Sequence, residues 1–283
     1  MSTPATTQAD IRRRHLSLVL HTVAEHGPVS RAFVAAQVGL TRATVSTLVE
    51  ELITAGLLVE AGPTRAGTVG RPGRALALSD RGPAGLGAEI GVDHLAACVV
   101  DLRGSVRARA ETEAPNRERT PERVLAEVAE LILSVAGQAR EEGLVPAAVT
   151  VAVPGLVGLD QATVEHAPNL RWNRVPVANM LAKAVESGLG RLPIRIENEA
   201  NLGALAELWL GGHDGVRDFL HVSAEIGVGA AVVVDGRLFR GARGFAGELG
   251  HAPVYPGGPA CPCGGQGCLE QYAGEEAVLR AAG

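Results

Sequence analysis

At 283 residues the chain is long enough for two or three compact domains, and its 46% hydrophobic and 20% charged residues describe an ordinary soluble globular protein. No run of about 18 apolar residues occurs, which excludes a helical membrane span. The polar N-terminus leading into Arg12, Arg13 and Arg14 lacks the apolar stretch and cleavage site of a secretory signal, so a cytoplasmic protein is expected.

The formal charge of −5 hides an asymmetry: residues 1–80 hold eight Arg against six acids, a basic front on an acidic body. Such a front points mildly to nucleic acid. Residues 11–25 read as an amphipathic helix with Leu16, Val19, Leu20 and Val23 at helical spacing, ended by Gly27-Pro28. Ser30 stands at an N-cap position and opens a short helix through Val34, Ala35 and Val38. Gly39 supplies a turn. Thr41 then caps a third helix whose apolar stripe is Val45, Leu48, Val49, Leu52 and Ile53, ending at Ala55-Gly56.

Two short helices joined by a tight Gly turn match a helix-turn-helix. The leading face of the second carries Arg42, Thr44, Ser46 and Thr47, donors able to reach base edges and phosphates in a major groove. A plain three-helix bundle with solvated polar positions is the competing reading. Residues 57–60 and 75–78 predict a hairpin, and the loop between them holds Arg65, Arg71 and Arg74 and no acid. Its Gly-Arg-Pro segment is narrow and extended, a shape that can enter a minor groove. Residues 10–80 are therefore expected to form a winged DNA-binding domain.

Residues 79–85 read as a linker. Beyond it the pattern predicts strands at 87–93, 95–101 and 106–113. A helix follows over 122–142, with Val124, Leu125, Val128, Leu131, Ile132 and Val135 inward. Strands at 147–153 and 194–197, a helix at 201–210 and strands at 219–224 and 229–234 complete an α/β order. Cys98 lies in an apolar run and is expected to be a buried small hydrophobe.

His251, Cys261, Cys263 and Cys268 offer three thiolates and one imidazole, the ligand set of a closed tetrahedral zinc site. Pro and Gly fill the gaps, so the backbone can fold tightly around one point. The spacing is not a common zinc-finger spacing. A disulfide with a spare thiol is the alternative, although cysteines separated by one residue are badly placed to pair with each other.

The stretches Ala246-Gly-Glu-Leu-Gly-His251 and Cys261-Pro-Cys263-Gly-Gly-Gln-Gly-Cys268-Leu-Glu270 resemble the ROK family, which groups sugar-responsive bacterial repressors with sugar kinases. The resemblance extends over essentially the whole chain. It implies an actin-like (ribonuclease H-like) body of two lobes, residues 86–196 and 197–283, with structural Zn2+ on His251, Cys261, Cys263 and Cys268. It also implies a sugar site built from Asn169, Asn198, Glu199, Glu248, His251 and Glu270. Carboxylates and amides on a rigid shell suit sugar hydroxyls.

Departures from the kinase pattern bear on activity. The base position holds Glu199 where kinases have Asp, and one extra methylene shifts the carboxylate by about 1 Å, enough to cost about a hundredfold in rate. The first phosphate loop reads Glu89-Ile-Gly-Val92-Asp93, and the second reads Ser223-Ala-Glu225-Ile-Gly-Val228-Gly229. Asp93 and Glu225 put carboxylates where an anion should dock, and Val92 and Val228 add side chains where bare amides are needed.

The expected protein is a sugar-responsive DNA-binding regulator, most simply a repressor, with no catalytic residue. Its partners would be double-stranded operator DNA and a small sugar or sugar-phosphate effector, with no membrane, in a homodimer or homotetramer. An active ROK sugar kinase carrying a DNA-binding head is the alternative. ROK members with such a head continue past the zinc motif, so a second lobe cut short at the C-terminus is also expected.

Overall fold

The computed structural model describes residues 7–63, 74–213, 215–224 and 226–282, so Arg65 and Arg71 of the expected wing, and Glu225, lie outside the described residues. The chain divides into two compact units. One holds residues 1–85 together with 99–108 and 137–147, and the other holds the remainder.

In the first unit, α1 (Gln8–His26) opens on a capping box in which Thr7 and Asp10 satisfy each other's backbone amides. β1 (Val29–Ser30) leads to α2 (Arg31–Val38), where the Ser30 hydroxyl accepts from the Phe33 amide at 3.2 Å. Gly39 turns the chain at a φ of 68°, a left-handed conformation that costs glycine little. Thr41 accepts from the Thr44 amide at 3.2 Å to start α3 (Arg42–Thr54), bent 112° from α2. Val19, Val23, Val34, Val45, Leu48, Val49 and Leu52 close into one core with Leu58 and Leu76 of the hairpin β2 (Leu58–Pro63) and β3 (Arg74–Leu78). β3 lies between β2, with Leu58 opposite Leu78, and β1, with Val29 opposite Leu76.

Residues 79–85 are not the free linker that their composition suggested. β4 (Gly82–Ile90) already begins at Gly82, which has a φ of 86° and donates from its amide to the Gly143 carbonyl at 2.9 Å. A Cβ at Gly82 would come within 2.9 Å of the Gly56 carbonyl oxygen, so this glycine marks a close backbone approach rather than a loop. Two arginines from the turn after β5 (His94–Val100) and the start of β6 (Val106–Glu113) hold the same segment. Arg103 Nε donates to the Leu78 carbonyl at 2.8 Å, and Arg107 donates to the Asp80 carbonyl at 2.8 Å and to the buried Asp101 carboxylate at 3.2 Å. Arg107 also pairs with Glu142.

α4 (Pro121–Glu141) runs as expected with Val124, Leu125, Val128, Ile132 and Val135 buried, while Leu131 is half-buried on its flank. β7 (Leu144–Val153) starts three residues before the expected strand. β4, β5, β6, β7 and β11 (Ile194–Asn198) form one sheet in the order β11-β7-β4-β5-β6, with β11 parallel to β7. Between β7 and β11 stand elements that the sequence pattern did not reveal: β8 (Leu156–Val157), β9 (Val164–Ala167), β10 (Trp172–Val175) and α5 (Val177–Leu189). The strands are too short to display alternation, and α5 follows Pro176 with no polar cap to announce it.

α6 (Glu199–Leu210) is capped by Asn198 and packs Ala200 and Ala204 against Ala231 and Val233 of β13 (Val228–Val234). β13 is the middle strand between β12 (Phe219–Ala224) and β14 (Arg237–Leu238), turning at Asp235-Gly236. The chain ends in two short helices, α7 (Glu270–Ala273) and α8 (Glu275–Ala282), separated at Gly274.

Candidate functional site

All six residues assigned to a sugar site line one cavity of about 110 Å3 in the second unit: Asn169, Asn198, Glu199, Glu248, His251 and Glu270. The first-loop residues Glu89, Val92, Asp93 and His94 line it too, as do Gly227 and Val228 from the second loop. Their places follow from local structure. Asn169 sits in a single 3-10 turn (Pro168–Leu170), Glu199 is the first residue of α6, and Glu270 opens α7. Glu248 precedes a 3-10 turn (Leu249–His251).

Asn198 spends most of its side chain on the fold. Its Oδ1 accepts from the amides of Ala200 at 2.9 Å and Asn201 at 3.2 Å, and its Nδ2 donates to the Gly155 carbonyl at 3.0 Å. One amide hydrogen remains for a ligand. Behind it is a network that sequence reasoning missed. Glu197, with 4% of its side chain exposed, accepts from Asn201 Nδ2 at 2.8 Å, the Asn198 amide at 3.0 Å and Gln161 Nε2 at 3.1 Å, and pairs with Arg240. A charged residue inside the motif Ile-Glu-Asn-Glu-Ala-Asn was the available signal, because a buried carboxylate demands a cationic partner elsewhere.

Glu248 exposes 38% of its side chain, and the surrounding protein raises its carboxyl above the usual range by desolvation. Its Oε2 lies 3.9 Å from His251 Nε2. Glu270 Oε2 accepts from the Val228 amide at 3.1 Å, and a Cβ on Gly227 would come within 2.5 Å of that oxygen. The second loop therefore hands one of its amides to a carboxylate. In the first loop Asp93 is not a bare charge. Its Oδ1 is 2.9 Å from His94 Nδ1, and His94 Nε2 is 3.5 Å from Glu89. The Asp93 hydrogen bond raises the imidazole pKa, and the reciprocal bond lowers that of Asp93.

His251, Cys261, Cys263 and Cys268 come together, with their ligand atoms all within 4.8 Å of one another. Cys261 Sγ is 3.7 Å from His251 Nδ1, and Cys263 Sγ is 3.7 Å from Cys268 Sγ. Bonds of about 2.3 Å to a central zinc at tetrahedral angles put sulfurs about 3.8 Å apart, so this donor set fits that ion. A disulfide needs about 2.05 Å, and all four cysteines are free. Gly267, at a φ of 68°, could not carry a Cβ, which would lie 1.8 Å from the Tyr255 carbonyl oxygen; only glycine lets the knot close. Burial, and then the neighbouring thiols of Cys263 and Cys261, push the Cys268 thiol up to about 12. His251 presents Nδ1 to the sulfurs and Nε2 to Glu248, so a metal and a cavity ligand would engage opposite ring nitrogens.

In the first unit, Arg42, Thr44 and Thr47 are exposed on α3 and Ser46 is half-buried. The Thr44 hydroxyl bonds the Thr41 hydroxyl at 2.9 Å, and the Thr47 hydroxyl donates to the Ala43 carbonyl at 3.3 Å. Arg74 pairs with Glu60 at 2.6 Å, and Glu60 also accepts from Arg31 at 2.8 Å. Cys98 is half-buried rather than fully enclosed.

Residues 85–283 match the model of the ROK family. A xylose repressor of Caldicellulosiruptor bescii is 35% identical over 264 residues, covering 93% of this chain and 64% of that protein. A glucokinase of Streptomyces coelicolor is 34% identical over 195 residues, covering 69% of this chain and 57% of that protein. Among solved structures, a ROK family transcriptional regulator described as a homologue of the Escherichia coli MLC protein superposes with a TM-score of 0.77 at 28% identity. That match covers 96% of this chain and 67% of the regulator. The chain thus spans somewhat under two thirds of the repressor's length.

Proposed function

The chain belongs to the ROK family, and from that premise we propose that it is a sugar-responsive, DNA-binding transcriptional repressor. One observation carries this reading. The repressor match runs through the three-helix front as well as the body, over 93% of the chain, whereas the glucokinase match covers 69%. The front, residues 10–80, serves as a winged helix-turn-helix. Its support is the 112° bend between α2 and α3, within the range of about 90–120° for that motif, and the hairpin that follows. Arg42, Thr44, Ser46 and Thr47 would face the major groove, and Arg65, Arg71 and Arg74 the minor groove.

The body, with lobes at 86–196 and 197–283, serves as sensor. Asn169, Glu199, Glu248, His251 and Glu270 would bind sugar hydroxyls, with Asn198 holding the wall they stand on. Zinc on His251, Cys261, Cys263 and Cys268 is a scaffold, since four protein ligands leave no open position for chemistry. Loss of kinase activity is supported by Val92 and Asp93 in the first loop, Glu225 and Val228 in the second, and the Val228 amide already bonded to Glu270. A homodimer or larger symmetric assembly on a palindromic operator follows from the two-fold logic of such heads.

Gel shifts with upstream DNA test the first half: binding should be sequence-specific, weaken with salt and be released by one sugar of a panel. The kinase alternative is favoured by the glucokinase relative, and an ATP-coupled assay with hexoses, pentoses and N-acetylhexosamines separates the two. Sugar-dependent ATP turnover would overturn the repressor-only reading.

A further inference from the structure

A second cavity, of about 380 Å3, adjoins the candidate sugar site: Asn169 and Glu270 line both. Pockets for small ligands run from about 300 to 1,000 Å3, so the first cavity alone is small while its neighbour falls in that range. The added compartment differs in chemistry. Arg117, Arg171 and Arg280 line it, from three separate elements.

These arginines are placed by the fold. Arg117 follows Asn116, which is 0% exposed and whose Nδ2 donates to the Gly91 carbonyl at 2.8 Å and the His94 carbonyl at 3.0 Å. That tie fixes the 3-10 turn carrying Arg117 to the first loop. Arg171 ends the turn bearing Asn169 and stands in the left-handed region at a φ of 57°, uncommon for such a residue. Arg280 comes from α8. Two carboxylates line it as well, Glu276, 3.7 Å from Arg117, and Glu270, which accepts the Val228 amide, so three guanidiniums face two acids. The compartment keeps a net positive character, and guanidiniums recognise phosphate and carboxylate oxygens through paired N–H donors.

We infer that the effector is an anionic sugar, its ring in the first cavity and its phosphate or carboxylate substituent on Arg117, Arg171 and Arg280. This rests on the sugar-sensor reading above and adds the chemical class of the ligand. The test is calorimetric titration of the zinc-loaded full chain. The ligands are glucose, xylose and N-acetylglucosamine, the 1- and 6-phosphates of glucose, N-acetylglucosamine 6-phosphate, glucuronate, and inorganic phosphate alone. At least one anionic sugar should bind about tenfold or more tighter than its neutral parent. The Arg171→Ala/Arg280→Ala double variant should lose that preference while keeping the parent's affinity. The single variant Arg171→Gln, which removes the charge and keeps length, should give an intermediate loss. Neutral sugars binding as tightly as every anionic one, a preference that survives the double variant, or inorganic phosphate matching the sugar phosphates would each overturn the inference while leaving the sensor reading standing. Binding of no sugar of either kind would overturn both.

Discussion

Glu197 keeps 4% of its side chain exposed, and a carboxylate there is tolerated because Arg240, Gln161, Asn201 and one backbone amide surround it. Arg240 lies in the segment before Glu248, and Glu197 precedes Asn198 and Glu199, so the pair ties two walls of the cavity to each other. Arg240→Met leaves the carboxylate without its cation and should destabilise by about 3 kcal/mol in urea unfolding. Adding Glu197→Gln to that variant should recover much of the loss, and a single variant as stable as the wild type would remove the pair from the fold's support. His94 offers a pH signature. Its pKa is raised by Asp93, so its contribution is fully present below the unfolded value of 6.5 and is lost as pH rises through the folded value. The pKa of Asp93 is lowered, so its share is present above 3.8 and is lost as pH falls through its folded value. The stability difference between wild type and His94→Gln should therefore be largest at about pH 5, between the reference values of the two groups, and shrink as pH rises through the raised pKa of the imidazole, a comparison that cancels the other histidines. The histidine and three cysteines of the cluster were legible because their chemistry is rare. Glu197 and Arg240 were not, because a buried pair 43 positions apart looks in sequence like two ordinary surface charges.

At the scale of elements, helices with caps and stripes were readable, and Ser30, Gly39 and Thr41 open and close α2 and α3 as their chemistry dictates. Failures concentrate where a backbone partner, rather than a side-chain pattern, decides the conformation. Gly82-Pro83 carries a turn signal, yet the segment is strand because Gly143 accepts its amide and Gly56 packs on its Cα. The same segment is clasped by Arg103 and Arg107, and Arg107 satisfies Asp101, whose side chain is 3% exposed. Arg107→Ala should lower the urea midpoint, because it takes the guanidinium from the buried Asp101 carboxylate. It should also speed limited proteolysis near Arg81, since three of the contacts that hold residues 78–80 come from these two arginines. A digestion pattern identical to wild type would mean that the β-ladder alone secures the segment. The short strands β8, β9 and β10 stayed hidden for a related reason: two to four residues give too few alternations to separate a strand from a loop.

For the whole molecule, the proposed zinc on His251, Cys261, Cys263 and Cys268 would determine whether the proposed sensor body holds its shape. The segment from Gly247 to Glu270 contributes Glu248, His251 and Glu270 to the cavity, but among the described residues it has only the 3-10 turn at Leu249–His251, isolated bridges and the start of α7 as regular structure. Such a stretch buries little apolar surface of its own, and four bonds to one ion would replace the missing core. Removing the ion should therefore act on stability and on sugar response together. Chelation with 1,10-phenanthroline, followed by calorimetric melting, should lower the transition of the body by more than about 3 kcal/mol and abolish any sugar-induced rise in Tm. The first unit carries its own core of Val19, Val23, Val45, Leu48 and Leu52 on α1 and α3, so its transition should stay where it was. Cys263→Ser should reproduce the chelated protein. A body that melts at the same temperature without metal, with its sugar response intact, would show that the three thiols and the imidazole meet without holding an ion, and that the cavity rim is secured by Glu270 and the Val228 amide instead.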